Sequence, residues 1–113
     1  MHEVSMMQNT LDIAIAQAKQ NNATKIDRLT MNIGELSGVV TEALEFAFEV
    51  LVQDTIAENA ELEIKTISVV CHCKKCDRTF QPEAYIYQCP NCKQISSDVI
   101  SGRELELASL VIS

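Results

Sequence analysis

At 113 residues, 47% of them hydrophobic and 22% charged, the chain has the composition of one globular domain, and the lack of Trp with only 4% aromatics makes its core an aliphatic one. A formal net charge of −7 turns most of the surface against a phosphate backbone, so nucleic acid is not an expected partner. No apolar run approaches the roughly 20 residues that cross a bilayer, and the start lacks the basic and apolar regions of a signal peptide, so the expectation is a cytoplasmic protein with no membrane partner whose mature first residue is Met1.

From Val4 to about Gln20, Val4, Met7, Leu11, Ala14, Ile15 and Ala18 follow the three-and-four spacing of one helix face. Ser5, with Gln8 three residues later, predicts a capping box at its start, and the pair Asn21, Asn22 closes it. Between Ile26 and Leu36 the pattern changes: Leu29, Met31 and Ile33 alternate with Arg28, Thr30 and Asn32, the period of a strand with one buried face. Gly34 and Gly38 bracket a turn. Thr41 to about Gln53 then reads as a second helix with Leu44, Ala47, Phe48 and Leu51 inward. Glu42, Glu45 and Glu49 lie on its other side, as a solvated face or, in the alternative, a docking surface.

Glu61 to Val70 predicts a second strand, in which Leu62 and Ile64 alternate before the apolar phase shifts to Ile67 and Val69; a bulge or twist near Thr66 would account for the shift. Glu104 to Ile112 repeats the pattern. The cysteine segment lies between these two strands, as an excursion from a sheet to which the chain returns. The predicted architecture is α+β: two helices on a small three-stranded sheet, formed by residues 1–70 and 99–113, with a zinc-ribbon-like knuckle domain inserted at 71–98.

Within the insert, Cys73 and Cys76 form one CxxC and Cys89 and Cys92 another. Two residues between cysteines let a tight turn present both sulfurs to one ion about 2.3 Å away, and two such turns complete a tetrahedron. With four thiolates the site has no open position for water, so the expected ion is a structural zinc. In a reducing compartment the five cysteines are better read as ligands than as disulfides. A thioredoxin-like pair would need one CxxC opening a helix, and no helical period follows either pair. Iron on four thiolates is chemically possible. With Phe80, Tyr85 and Tyr87 as its main apolar groups, the insert is expected to draw much of its folding free energy from the metal. Lys74, Lys75, Arg78 and Lys93 outnumber Asp77 and Glu83, a local surplus that offsets a zinc tetrathiolate. Cys71 is outside the pattern, a spare thiol or, with His72, an alternative ligand.

The chain opens Met1, His2, Glu3. An α-amine one residue ahead of an imidazole can chelate: the amine, the deprotonated amide of His2 and Nδ1 form fused rings that suit Ni(II) or Cu(II), with the amide or carboxylate of Glu3 in the fourth position. From spacing alone, a solvated terminal histidine is the simpler reading.

This opening, the amphipathic helix after it, the stretch MNIGELSGV at Met31 to Val39 and the two CxxC pairs twelve residues apart together resemble the hydrogenase nickel-incorporation protein HypA family. The resemblance covers nearly the whole chain. It implies a nickel metallochaperone for maturation of [NiFe] hydrogenase, with His2 as nickel ligand, Glu3 and the backbone near Met1 contributing, and Cys73, Cys76, Cys89 and Cys92 holding zinc. It also implies work with a nickel-binding GTPase, HypB, and delivery to the hydrogenase large subunit; some members serve urease as well. The chain departs from the family where Cys71 and His72 precede the first CxxC, in place of histidines after the pairs, so a histidine-tuned zinc site is not implied.

Three classes of function are then in contention. A carrier would bind nickel loosely at the N-terminus and pass it on by ligand exchange. A zinc-ribbon interaction module would show no dependence on His2. An enzyme has the least support, since there is no nucleophile with a base, no phosphate loop and no acid and base pair around His72. A homodimer could form through an exposed strand edge or the inserted knuckle.

Overall fold

The computed structural model describes residues 2–83, 86–96 and 98–113. Met1 and Tyr85, assigned above to the nickel site and the knuckle, lie outside the described residues. The elements run α1 (His2–Gln20), β1 (Ile26–Gly34), α2 (Thr41–Leu51), β2 (Glu61–Ile67), β3 (Val70–Cys73), β4 (Arg78–Phe80), β5 (Val99–Ser101) and β6 (Leu105–Ile112). They fall into two compact units, one of residues 1–32, 38–65 and 106–113, the other of residues 33–37 and 66–105.

The first unit is α+β. Met7, Leu11, Ala14 and Ala18 of α1 are buried at the predicted spacing, and with Leu44, Ala47 and Phe48 of α2 and Ile26, Leu29 and Met31 of β1 they form its aliphatic core. Val4 departs from the pattern and is 43% exposed. The helix begins at His2, so Ser5 lies inside its first turns and does not cap it; the Gln8 amide bonds Asp12 one turn on instead of reaching back. At the other end Asn22 takes φ 58°, and the N–H groups of Ala23 and Asn22 close on the carbonyls of Ala18 and Lys19. That is a Schellman cap, built with Asn where Gly is usual.

The first sheet has the order β2-β1-β6. Arg28 pairs with Glu61 and Thr30 bonds Glu63, a constant offset along both strands, so β1 and β2 run parallel. Parallel neighbours require a crossover, which α2 supplies. Lys25 and Ser113 exchange both backbone hydrogen bonds, the mark of an antiparallel pairing between the ends of β1 and β6. Because β1 is central, Thr30 is buried although it points away from the core face, and its hydroxyl is satisfied by the Glu63 carboxylate at 3.0 Å.

In the second unit β3 is the middle strand of the sheet β4-β3-β5, antiparallel to both neighbours. The single strand expected from Glu61 to Val70 is two: β2 ends at Ile67 and β3 begins at Val70. The cause is local to Ser68 and Val69. The Ser68 carbonyl accepts from the Ser101 hydroxyl and the Val69 N–H donates to the Glu35 carboxylate, so the backbone between them leaves the ladder. Gly34 is packed so closely on Gly102 that an added Cβ would overlap the Gly102 carbonyl and the Arg103 nitrogen. Gly102 itself holds φ 113°, a conformation open to glycine.

Candidate metal centre

Each CxxC lies in a turn of the same build. Cys73 closes β3, and its register partner Arg78 opens β4, leaving Lys74 to Asp77 as the hairpin loop. Cys89 to Lys93 turns between the bridged residues Gln88 and Ile95, with the Lys93 N–H on the Cys89 carbonyl and the Cys89 N–H on the Gln94 carbonyl, each at 2.9 Å. In both turns the residue after the second cysteine has a positive φ: 51° at Asp77 and 65° at Lys93. This left-handed step folds the chain back so that two sulfurs with two residues between them face one point.

The two turns face each other. The Sγ atoms of Cys73, Cys76, Cys89 and Cys92 all lie within 4.8 Å of one another. Cys73 Sγ is 3.5 Å from Cys92 Sγ and Cys89 Sγ is 3.9 Å from Cys76 Sγ. A tetrahedron with metal–sulfur bonds of about 2.3 Å has edges of about 3.8 Å, so the four thiols already stand where one zinc-sized ion needs them. Cys73 and Cys89 are buried and their two partners half-buried.

The four thiols are not alike: although the Gln94 N–H lowers it, burial and the neighbouring Cys73, Cys76 and Cys89 thiols push Cys92 up to about 11, and Cys89 goes the other way. The N–H of Cys92 holds the Cys89 thiol down to about 6 against the opposing effect of burial, and the N–H of Asn91 adds to it. A lowered thiol is one that gives up its proton to a metal readily. The Asn91 amide donates to Cys76 Sγ at 3.2 Å, the kind of outer contact that orients a ligand. Asn91 was not singled out by spacing, although its place inside CPNC was the available sign.

Cys71 and His72 stand apart from the four sulfurs. Cys71 is fully buried, and burial pushes its thiol up, away from the thiolate form. Both ring nitrogens of His72 are taken by carboxylates, Nε2 by Asp77 at 3.0 Å and Nδ1 by Asp98 at 3.3 Å. The hydrogen bond from Asp77 raises the His72 pKa most, burial opposes it, and Asp98 adds to the rise. The ring is thereby turned away from metal ligation. Its carbonyl accepts from the Ser96 hydroxyl at 2.6 Å, so one residue ties the first turn to the segment that follows the second.

At the other predicted centre, His2 is exposed at the start of α1. The Glu3 carboxylate accepts from the backbone N–H of Val40 at 3.2 Å. That bond, first among the causes, holds the Glu3 carboxyl below its ordinary value. Among the described residues no group of three His, Cys, Asp or Glu side chains includes either of them. No helix of the described residues is long and apolar enough to cross a membrane.

Comparison with known proteins places the chain in a family. Residues 1–112 match the model of HypA, described as hydrogenase/urease nickel incorporation, metallochaperone. The chain is 52% identical to the hydrogenase maturation factor HypA of Picosynechococcus sp. over 99% of each chain, and 35% identical to that of Francisella philomiragia over the full length of both. Among solved structures it resembles the solution structure of a HypA protein, with a TM-score of 0.78 and 31% identity over 100% of this chain and 97% of the other. It also resembles the Ni metallochaperone HypA from Helicobacter pylori, with a TM-score of 0.70 and 32% identity over 97% and 96%. The match runs through the α+β unit and the four-cysteine knuckle alike, and the chain belongs to the HypA family of nickel metallochaperones in hydrogenase maturation, which are not enzymes.

Proposed function

We propose that this chain binds Ni(II) at Met1, His2 and Glu3 and hands it on for maturation of [NiFe] hydrogenase, while Cys73, Cys76, Cys89 and Cys92 hold a structural zinc. The family match over residues 1–112 carries this reading, since it includes both the Met-His-Glu opening and the cysteine pairs. Its partners are the nickel-binding GTPase HypB and the hydrogenase large subunit. Residues 71–98 serve as the zinc domain, and 1–70 with 99–113 as the nickel domain.

The start of α1 suits nickel for a backbone reason. The first four N–H groups of a helix have no intrahelical acceptor, so a metal that displaces the amide proton of His2 or Glu3 breaks no helix hydrogen bond. With its carboxylate engaged at Val40, Glu3 contributes to nickel through its amide, beside the Met1 amine and the His2 amide and imidazole. This nitrogen-rich set favours nickel, and the thiolate set favours zinc. When bound, zinc supplies a cross-link between two turns that have little core of their own.

Equilibrium dialysis with nickel, comparing the native chain with His2→Ala, tests the reading. The native chain should take up nickel and the variant should lose most of that affinity. Equal uptake would leave a zinc-ribbon module without nickel chemistry as the better account.

A further inference from the structure

α2 buries one side and leaves the other without a partner. Leu44, Ala47 and Phe48 face the core, while Glu42, Glu45, Phe46, Glu49 and Val50 share the opposite side at three-and-four spacing. Phe46 is 68% exposed and Val50, one turn on, is 51% exposed. A single exposed apolar residue is ordinary on a protein surface. A phenylalanine and a valine one turn apart form a continuous ridge, the arrangement by which a helix anchors another protein. The ridge is flanked by acid alone: α2 has no basic residue, and among the described residues Glu42, Glu45 and Glu49 have no hydrogen-bond or ion-pair partner.

On the side of α2 that bears Glu45 and Glu49 lies a cavity of about 220 Å3, lined by Glu45, Phe48, Glu49, Ala60 and Leu62. Its lining is divided in a way that points to one kind of side chain. A methylene stem would lie on Phe48, Ala60 and Leu62 while a cationic head meets the two carboxylates. A guanidinium suits this better than an ammonium, because it is planar and more weakly hydrated.

We propose that the outward face of α2 is the docking surface for a basic segment of a partner protein. An arginine of that segment enters the cavity beside Glu45 and Glu49, and an apolar side chain packs on Phe46 and Val50. For the identity of the partner the proposal rests on the nickel-carrier reading: it is a protein that gives nickel to this chain or takes nickel from it. The Glu3 to Val40 hydrogen bond ties the start of α1 to the N-terminal end of α2, the helix on which the partner sits.

The experiment measures the affinity of the purified GTPase partner and of the hydrogenase large-subunit precursor for three full-length forms: native, Phe46→Ser, and the double variant Glu45→Lys with Glu49→Lys. Nickel affinity and circular dichroism are recorded for each. Both variants should bind at least one of the two proteins about tenfold or more weakly, with fold and nickel affinity unchanged. Native affinity for that protein should fall with added salt, and the lysine variant should lose this dependence. Native-like binding of both proteins by both variants overturns the proposal. So does a loss confined to the lysine variant, since long-range charge steering would then suffice without the ridge. A native dimer that Phe46→Ser dissolves while partner binding persists also overturns it, because the face would then cover a second copy of the chain. A native chain that takes up no nickel, yet loses its partner in both variants, sustains the docking surface and removes the nickel reading instead.

Discussion

The Glu3 carboxylate caps a helix that is not its own. It accepts at 3.2 Å from the N–H of Val40, the N-cap residue of α2, whose apolar side chain can do no capping for itself. An anion at a helix N-terminus also faces the positive end of the backbone dipole.

This bond makes an acid titration local. Because the folded carboxyl sits below the ordinary value of 4.5, its contribution is complete above the ordinary glutamate range and is lost as pH falls through the lowered value. The Val40 amide proton, followed by NMR, should shift with a midpoint below 4.5. In Glu3→Gln, which keeps an acceptor oxygen without the charge, the titration should vanish while nickel affinity stays close to native. A large loss of nickel in Glu3→Gln would make the carboxylate itself a nickel ligand.

Removing one thiolate should empty the zinc site. Cys76→Ser and Cys89→Ser each leave three sulfurs around the point where the two turns meet, and the knuckle has little else to hold it. Metal analysis after dialysis against a chelator should find zinc in the native chain and little in either variant, with the helical signal largely kept. One tightly held zinc in both variants would disprove the four-cysteine site.

Two glycines a few residues apart should respond unequally to alanine. At Gly38, φ is 75° and nothing lies within 4 Å of the added Cβ, so the cost is that of the left-handed backbone, about 1–2 kcal/mol. At Gly34 the Cβ meets the backbone of Gly102 and Arg103, which cannot swing aside as a side chain would, so the cost should approach or exceed about 3 kcal/mol. Denaturant unfolding of the two variants gives the order, and Gly38→Ala being the worse would contradict it.

Nickel affinity should weaken as pH falls. Protons compete with nickel for the His2 imidazole, the Met1 amine and the amide nitrogens, while a thiolate cage binds its ion far more strongly and is less affected. Affinity that stayed level between about pH 8 and pH 6 would exclude this ligand set.

Adding two residues ahead of Met1 should weaken nickel binding sharply and leave zinc content and circular dichroism as they were. The extension turns the Met1 amine into a peptide nitrogen, which would open the proposed chelate ring. His2→Ala removes the imidazole of the same chelate, so the two losses should not add. Equal affinity with and without the extension would show that the amine is not a ligand.

The sequence was most informative where spacing alone determines geometry. Cys73, Cys76, Cys89 and Cys92 converge because a two-residue gap leaves a turn little freedom, and Met7, Leu11, Ala14 and Ala18 are buried because a helix repeats. It misled where a distant group decides. Ser5 looked like a cap, yet the helix could start at His2 since its first N–H groups need no acceptor within it. The phase shift near Thr66 marked an irregularity between β2 and β3, but the groups that hold the break open, Glu35 and Ser101, are distant in sequence. For His72, offered above only as an alternative ligand with Cys71, the two aspartates that hold the ring are not legible from spacing.

The turn after β1 also affects the order of assembly. The Glu35 N–H bonds the Ile67 carbonyl and the Gly34 N–H bonds the Glu104 carbonyl, so the points where the chain leaves β2 and returns toward β6 are gathered at one short segment. Before the second unit forms, β6 must find β1 across a loop that includes the whole knuckle. Once it has formed, the loop is effectively a few residues long, and at about 0.6 kcal/mol per halving of length the saving in closure entropy is about 2 kcal/mol. Non-local pairing sets the pace of folding in sheets of this kind. A change that unravels the second unit should therefore slow the closing of the β2-β1-β6 sheet, through the kinetics of strand pairing.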